Sequence, residues 1–176
     1  MDSQPSESLN IFRSEFLNAK TWAQRKDGVP LNLLDELSAD DLKIAESELI
    51  DALSLDDSWP IRGLGHIRSF SSLPYLYNLL PGSNGFIRIA IAHAVFSINK
   101  DEKMLEEAKK TTLLLTKQLP KTEYQLIDVI YLLPDFNDED INKILHSLYN
   151  SNFYLIAYNA ARVLGYPTVD IVNKFS

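Results

Sequence analysis

The chain has 176 residues, of which 45% are hydrophobic and 23% are charged, and it contains no cysteine. This length predicts one domain, and the composition excludes a wholly disordered or collagen-like chain. The lack of cysteine excludes disulfides, Cys-ligated zinc, iron–sulfur clusters and thiol catalysis. The net charge of −7 disfavours nucleic-acid binding, because proteins that bind nucleic acids normally carry a basic surface.

The N-terminal residues and the lengths of the apolar runs indicate the cellular location of the protein. The N-terminal segment has neither the basic nor the apolar region of a signal peptide. No apolar run approaches the about 18–20 residues that span a bilayer. We therefore expect a cytoplasmic protein that does not enter a membrane.

Apolar residues recur at intervals of three and four along the chain, which is the period of amphipathic helices. A helix over 7–25 ends at Gly28 and Pro30, and Ser38 begins another, because its hydroxyl can accept a hydrogen bond from the backbone N–H three residues on. No segment is convincingly a strand, although Ile, Val and Tyr make 124–133 the least helical segment. The remaining predicted helices cover residues 60–68, 74–80, 86–98, 102–118, 122–133, 138–149, 153–164 and 168–175.

A period of roughly 30–40 residues relates the helices from residue 58 onward. Each repeating unit consists of a first and a second helix, and an apolar residue, here called an anchor, ends each first helix. The four anchors lie 31, 37 and 32 residues apart. Apolar residues that follow each anchor define a second helix. In the last unit, we expect Val169 and Val172 to be the packed residues of that helix. The segments 86–95 and 155–164 align without a gap and are rich in small residues, which let helices approach closely. The alternative is an irregular helical bundle. The anchors are Leu64, Val95, Leu132 and Leu164.

The first of these units resembles a known repeat family. Leu64–Ile67 followed by Leu73–Leu76 resembles the bacterial HEAT pattern, in which Leu-Gly-x-Ile precedes an aliphatic residue, a proline and a Leu-rich second helix. Ala160–Gly165 resembles the end of that family's first helix. Over 58–176 the resemblance implies an all-α fold, a short right-handed α–α solenoid (a HEAT/armadillo-like superhelix) of about four helix pairs. We predict that residues 1–57 form an acidic helical cap, packed with the repeats as one continuous domain.

The sequence offers little that indicates catalysis. No two of the histidines, His66, His93 and His146, lie within one helical turn, and we expect His93 to be packed among apolar neighbours. The chain has no nucleophile elbow, phosphate-binding loop, dinucleotide fingerprint or HExxH motif. We therefore predict no catalytic residue, no metal ligand and no cofactor.

Polar and aromatic residues on the second helices are candidates for partner binding. They lie off the apolar stripes that face the core, and in HEAT-like arrays the second helices line the concave side. Tyrosine is favoured at the centres of interfaces, although ordinary surface residues are the alternative. The candidates are Tyr75, Asn78, Asn142, His146 and Tyr149.

Acidic residues are concentrated in one stretch. Residues 35–57 hold nine carboxylates and one lysine, a net charge of −8. We predict that this surface steers a basic partner, chiefly through Asp40, Asp41, Asp56 and Asp57. The alternative is that these carboxylates begin helices or solvate their outer faces.

These observations favour a non-enzymatic, monomeric protein–protein interaction module with a concave helical-repeat surface. One alternative is an immunity or antitoxin protein that binds and blocks a basic toxin. A second is a HEAT-like nucleic-acid enzyme such as a DNA glycosylase, which the net charge of −7 disfavours.

Overall fold

The computed structural model describes residues 5–176 and is all-helical, as the periodicity predicts, with 73% helix and no strand in the described part. Shorter 3-10 turns join several of the helices. The twelve α-helices are α1 (Glu7–Phe12), α2 (Trp22–Arg25), α3 (Asn32–Asp35), α4 (Ala39–Asp51), α5 (Ser58–His66), α6 (Leu73–Leu79), α7 (Gly85–Asn99), α8 (Lys103–Lys117), α9 (Glu123–Ile130), α10 (Glu139–Tyr149), α11 (Tyr154–Leu164) and α12 (Thr168–Phe175).

The N-terminal region departs from the prediction of one helix over 7–25. After α1 the chain forms a π turn at Arg13–Leu17, and a separate helix, α2, begins after Thr21. The Thr21 hydroxyl accepts a hydrogen bond from the backbone N–H of Gln24, whose side chain accepts one from the backbone N–H of Thr21. This capping box stabilises a new helix start, which explains why the single-helix prediction was wrong. The short helix α3 was not predicted.

Two other local predictions are confirmed. Ser38 is the N-cap of α4, and its Oγ accepts a hydrogen bond of 3.2 Å from the backbone N–H of Asp41. The segment 124–133, the least certain helix of the sequence, forms α9 and a 3-10 turn at Leu133–Phe136. Its Leu126, Val129 and Ile130 are buried, so packing outweighs the strand preference of its residue types.

Helix α5 joins two hydrophobic cores. Trp59 and Leu64 pack with Phe12, Phe16 and other apolar residues of the N-terminal region. Ile61, on another side of the same helix, packs into the larger core that α7 dominates. The N-terminal helices are therefore anchored to the rest of the protein through α5.

From α5 onward the helices follow one another as four consecutive pairs, α5/α6, α7/α8, α9/α10 and α11/α12. The first members contact one another in chain order, α5 with α7, α7 with α9, and α9 with α11. Among the second members, α8 contacts α10. The helices α5, α7, α9 and α11 therefore form one continuous row of packed helices.

The prediction for α12 was wrong about which residues pack against the core. Val169 and Val172, expected to carry the packing of α12, are 57% and 41% exposed. Ile171 is buried instead, against Ala157 and Ala161 of α11. Successive helical residues are about 100° apart, so the face of α12 that packs Ile171 on α11 turns Val169 and Val172 toward solvent.

Close packing of α5 on α7 depends on Gly65. A Cβ added there would lie 2.8 Å from the Cα of Ala94, closer than van der Waals contact allows. We expect Gly65→Ala to lower the free energy of unfolding by about 1–3 kcal/mol, because one of the two helices would have to move. Urea denaturation measures this loss.

Gly82→Ala is the matched control for that substitution. The same added methyl group would meet only the side chain of Leu55, at 3.4 Å, and the control should change the unfolding free energy little. Equal urea midpoints for Gly65→Ala and Gly82→Ala would contradict the close approach of α5 and α7.

Candidate functional site

On α6, the predicted contact residues face solvent. Tyr75 is 52% exposed and Asn78 is exposed, while Leu76 between them is buried in the core. The neighbouring Tyr77 is held by other contacts, since its hydroxyl donates a 2.6 Å hydrogen bond to Asp101. Tyr75 and Asn78 are therefore accessible to a partner.

On α10, the three predicted residues differ in accessibility. Asn142 and His146 are exposed, whereas Tyr149 is half-buried. The Tyr149 ring packs edge-on against Tyr166 at 5.1 Å between centroids, and the His146 ring lies 5.9 Å from the same tyrosine. Tyr149 thus packs on the turn that follows α11. The α6 group and the α10 group are connected through α7 and α8, which lie between them in the order of contacts.

Asp57, one of the four predicted steering carboxylates, has a structural role. It caps α5 by accepting from the backbone N–H of Trp59, and it pairs with Arg25 and Lys20 at 2.6 and 3.3 Å. Burial alone would raise the pKa of Asp57, but the hydrogen bonds from Arg25 and from the Trp59 backbone outweigh burial and lower the pKa below its ordinary value. This carboxylate stabilises the fold.

Of the other three predicted steering residues, Asp40 and Asp56 are exposed and Asp41 is half-buried. Asp41 accepts a 2.7 Å hydrogen bond from the hydroxyl of Ser38 and so takes part in starting α4. Asp40 pairs with Lys43 at 3.1 Å, yet its side chain is 92% exposed, and Asp56 is also exposed. Steering of a basic partner stays a prediction, and it rests mainly on Asp40 and Asp56.

A groove between α8 and α10 contains apolar residues that the sequence reasoning did not select. Leu113 and Leu114 are 48% and 47% exposed, and together with Ile144 they line a cavity of about 510 Å³. A signal for this groove is present in the sequence. Successive helical residues are about 100° apart, so three consecutive leucines cannot all face the core. Only Leu115 of that run does so.

The rim of the α8–α10 groove is positively charged. Three carboxylates near this rim, Glu106, Asp138 and Asp140, lie 3.3, 3.1 and 3.5 Å from the Nζ of Lys109. Their negative charge is therefore partly neutralised by this one lysine. Desolvation alone would lower the pKa of Lys109, but hydrogen bonds to Asp138 and Glu106 raise the pKa above its ordinary value.

Two further lysines, on the same face of α8, are exposed and line this groove. They have no carboxylate within 4.0 Å among residues 5–176. A second cavity, of about 470 Å³, adjoins the groove and shares one of these lysines and Leu114 with it. The two exposed lysines are Lys110 and Lys117.

Two of the three histidines, His66 and His93, each pair with a carboxylate. His66 Nε2 lies 2.8 Å from Asp35 Oδ1, and His93 Nε2 lies 2.9 Å from Asp135 Oδ2. The hydrogen bond with His93 lowers the pKa of Asp135. The His93 ring also packs edge-on against Phe136 at 5.7 Å, in the packed environment that its apolar neighbours predict.

Residues 5–176 contain neither a cluster of metal-ligating side chains nor a helix that could span a membrane. In that part of the chain, no group of three or more His, Cys, Asp or Glu side chains is arranged to hold a metal ion. None of the helices described above has both the length and the apolar character needed to cross a bilayer.

The chain matches no protein-family model, no curated protein and no solved structure. The exposure, contacts and charges of its own residues are therefore the basis for any statement about function. Among these, the apolar groove between α8 and α10 with its lysine rim is the feature best suited to binding another protein.

Proposed function

We propose that the protein is a non-enzymatic protein–protein interaction module that docks its partner along the second helices. One observation carries the proposal: the exposed pair Leu113 and Leu114 lies in a groove whose rim holds two lysines without carboxylate partners among the described residues. Contiguous exposed apolar side chains with a polar rim are typical of interaction sites.

We also propose that the four helix pairs form a short right-handed α–α solenoid of the HEAT type. The order of contacts among α5, α7, α9 and α11 supports this arrangement, and so does the close approach that Gly65 permits. In such an array the second helices would form one continuous surface. Tyr75 and Asn78 on α6 and Asn142 and His146 on α10 would then flank the groove.

The chemistry of the groove favours an amphipathic helix that carries acidic residues. Apolar side chains three and four positions apart on such a helix would contact Leu113, Leu114 and Ile144, as in other helix-in-groove complexes. Carboxylates beside them would pair with Lys110 and Lys117. We therefore propose that this segment of the partner is acidic, although the whole chain suggests a basic partner by its net charge.

A second candidate function rests on the acidic surface rather than on the lysine rim. Residues 35–57 carry a net charge of −8, and Asp40 and Asp56 are exposed within that stretch. An immunity or antitoxin protein that blocks a basic toxin would use such a surface to attract it. This candidate would bind through α4 and the segment that follows it rather than through α8 and α10.

Photo-crosslinking from defined positions distinguishes the two candidates. A photoreactive amino acid would replace Leu113 in the groove, Asp56 in the acidic stretch, or Tyr124 on α9, which is 78% exposed and lies outside both surfaces, as a control in the native host. We expect one protein to be attached from position 113 and not from position 124. Attachment of a basic protein from position 56 alone would favour the toxin-blocking candidate. Identical adducts or none from all three positions would contradict both.

A further inference from the structure

A third cavity, of about 340 Å³, lies at the C-terminal ends of α5, α7 and α9, and its lining shares no residue with the α8–α10 groove. Basic side chains from α5 and from the residues after α5 and α7 line it. Arg62 lies within α5, Arg68 lies two residues beyond its end, and Lys100 follows α7. In a protein with a net charge of −7, such a concentration of cations is unusual.

These three cations have no anionic partner of their own. None of them forms a side-chain hydrogen bond or an ion pair with any residue of the described part. The Nζ of Lys100 lies over an aromatic face, 4.6 Å from the centre of the Phe96 ring. Arg62 is partly buried, and desolvation lowers the pKa of its guanidinium. A partly buried cation without a hydrogen-bonded partner is unfavourable unless a ligand supplies one.

The carboxylates near the cavity do not fill this role. Asp135 lines it and is hydrogen-bonded to His93, while Asp35 is hydrogen-bonded to His66. Asp128 and Asp135 both favour the charged form of Arg62, but neither lies within 4.0 Å of it. The lining thus contains three basic side chains, two histidines and one carboxylate.

The backbone at two of these cations adds an independent observation. Arg68 has φ 52° and Lys100 has φ 59°, both in the left-handed region. The residue that ends α11 in the same conformation is Gly165, with φ 73°. Glycine is the residue that normally ends helices in this way, because a side chain there is strained. The protein therefore carries long basic side chains at two positions whose backbone favours glycine.

We propose that this cavity binds a phosphate group, either free phosphate or the phosphate of a small metabolite, through Arg62, Arg68 and Lys100. The planar guanidinium matches two phosphate oxygens at once, and a lysine supplies a further point charge. Three cations favour a doubly charged anion over a single carboxylate. The volume lies at the lower end of the range of about 300–1,000 Å³ for small-ligand pockets. This site goes beyond the proposed partner-binding function.

Titration of the full chain with inorganic phosphate, with a small phosphate monoester and with acetate tests the proposal. Nuclear magnetic resonance would follow the Nε–H signals of Arg62 and Arg68 and the amide signal of Lys100. We expect phosphate or the monoester to bind at least about tenfold more tightly than acetate and to shift these signals. Tighter binding of the monoester would identify a metabolite as the ligand, and equal binding would identify free phosphate. Shifts equal to those with acetate, or none, would overturn the proposal.

Two variants and a control make the test specific. Arg62→Gln and Arg68→Gly should each weaken phosphate binding about tenfold, as the loss of a charge-assisted hydrogen bond predicts. Arg68→Gly should also keep or raise the melting temperature without phosphate, because glycine relieves the strained conformation and the backbone N–H still donates to the carbonyl of Gly65. The exposed Lys26→Gln should change neither quantity. Unchanged phosphate affinity in the correctly folded Arg68→Gly variant would contradict the site.

Discussion

Leu76→Ala and Leu148→Ala are each expected to lower the free energy of unfolding by about 2–5 kcal/mol. Both leucines belong to the apolar positions predicted for the second helices, and they are 0% and 2% exposed. Truncation removes buried methyl groups and leaves a cavity that the surrounding helices fill only in part. Denaturation in urea, followed by circular dichroism at 222 nm (the usual helix signal), measures both losses.

Leu113→Ala is the matched control for these two variants. It removes the same atoms from a leucine that is 48% exposed, and we expect a loss of less than about 1 kcal/mol. Losses below about 0.5 kcal/mol for both Leu76→Ala and Leu148→Ala would show that α6 and α10 do not pack as described.

Asp57→Asn is expected to cost about 1.5–3 kcal/mol of unfolding free energy at neutral pH, the range for hydrogen bonds to charged groups. Asparagine remains a good N-cap, so the substitution mainly removes the charge that pairs with Arg25 and Lys20. The neighbouring Asp56→Asn changes an exposed carboxylate and should cost little. Urea denaturation of the two variants measures the difference, and equal losses would contradict a structural role for Asp57.

The pH dependence of that loss has a definite sign. Because the pKa of Asp57 is lower in the folded protein than in the unfolded chain, its ionised form stabilises the fold. The contribution is fully present above the unfolded value of about 3.9 and disappears as the pH falls through the folded pKa. The difference between wild type and Asp57→Asn should therefore be largest near pH 7 and shrink below about pH 4.

Because Asp57 stabilises the fold, a test of charge steering should leave Asp57 unchanged. Neutralising Asp57 together with its neighbours would change the fold as well as the surface. A double variant of Asp40 and Asp56 removes exposed charge without touching the ion pair with Arg25. If acidity steers a basic partner, this variant should associate more slowly, and the effect should shrink as salt rises.

Local signals in the sequence predicted the all-helical class and most of the helices. The spacing of apolar residues identified the helices from α4 onward, and the hydroxyl of Ser38 correctly marked the start of α4. The prediction failed where two local signals competed, since the capping box of Thr21 and Gln24 interrupts an otherwise helical pattern. The rotation of α12, which buries Ile171 and exposes Val172, depends on the helix beside it and is not specified by its own sequence.

The candidate site was harder to predict because it depends on contacts between distant residues. Asp57 belongs to an ion pair with Arg25 that spans 32 positions, so the sequence alone did not separate it from its exposed neighbour Asp56. Arg62 and Lys100 similarly meet only because α5 packs on α7. The leucine pair at 113 and 114 was not predicted either, although helical geometry alone requires part of that run to face outward.

Docking in the α8–α10 groove is tested most directly by calorimetry, which measures the affinity for the partner that crosslinking identifies. Leu114→Ala should raise the dissociation constant about tenfold, mainly through faster dissociation, because a central apolar contact is lost. Leu55→Ala, which alters a leucine 39% exposed and outside the groove, should leave the constant unchanged. Equal dissociation constants for wild type, Leu114→Ala and Leu55→Ala would contradict docking in this groove.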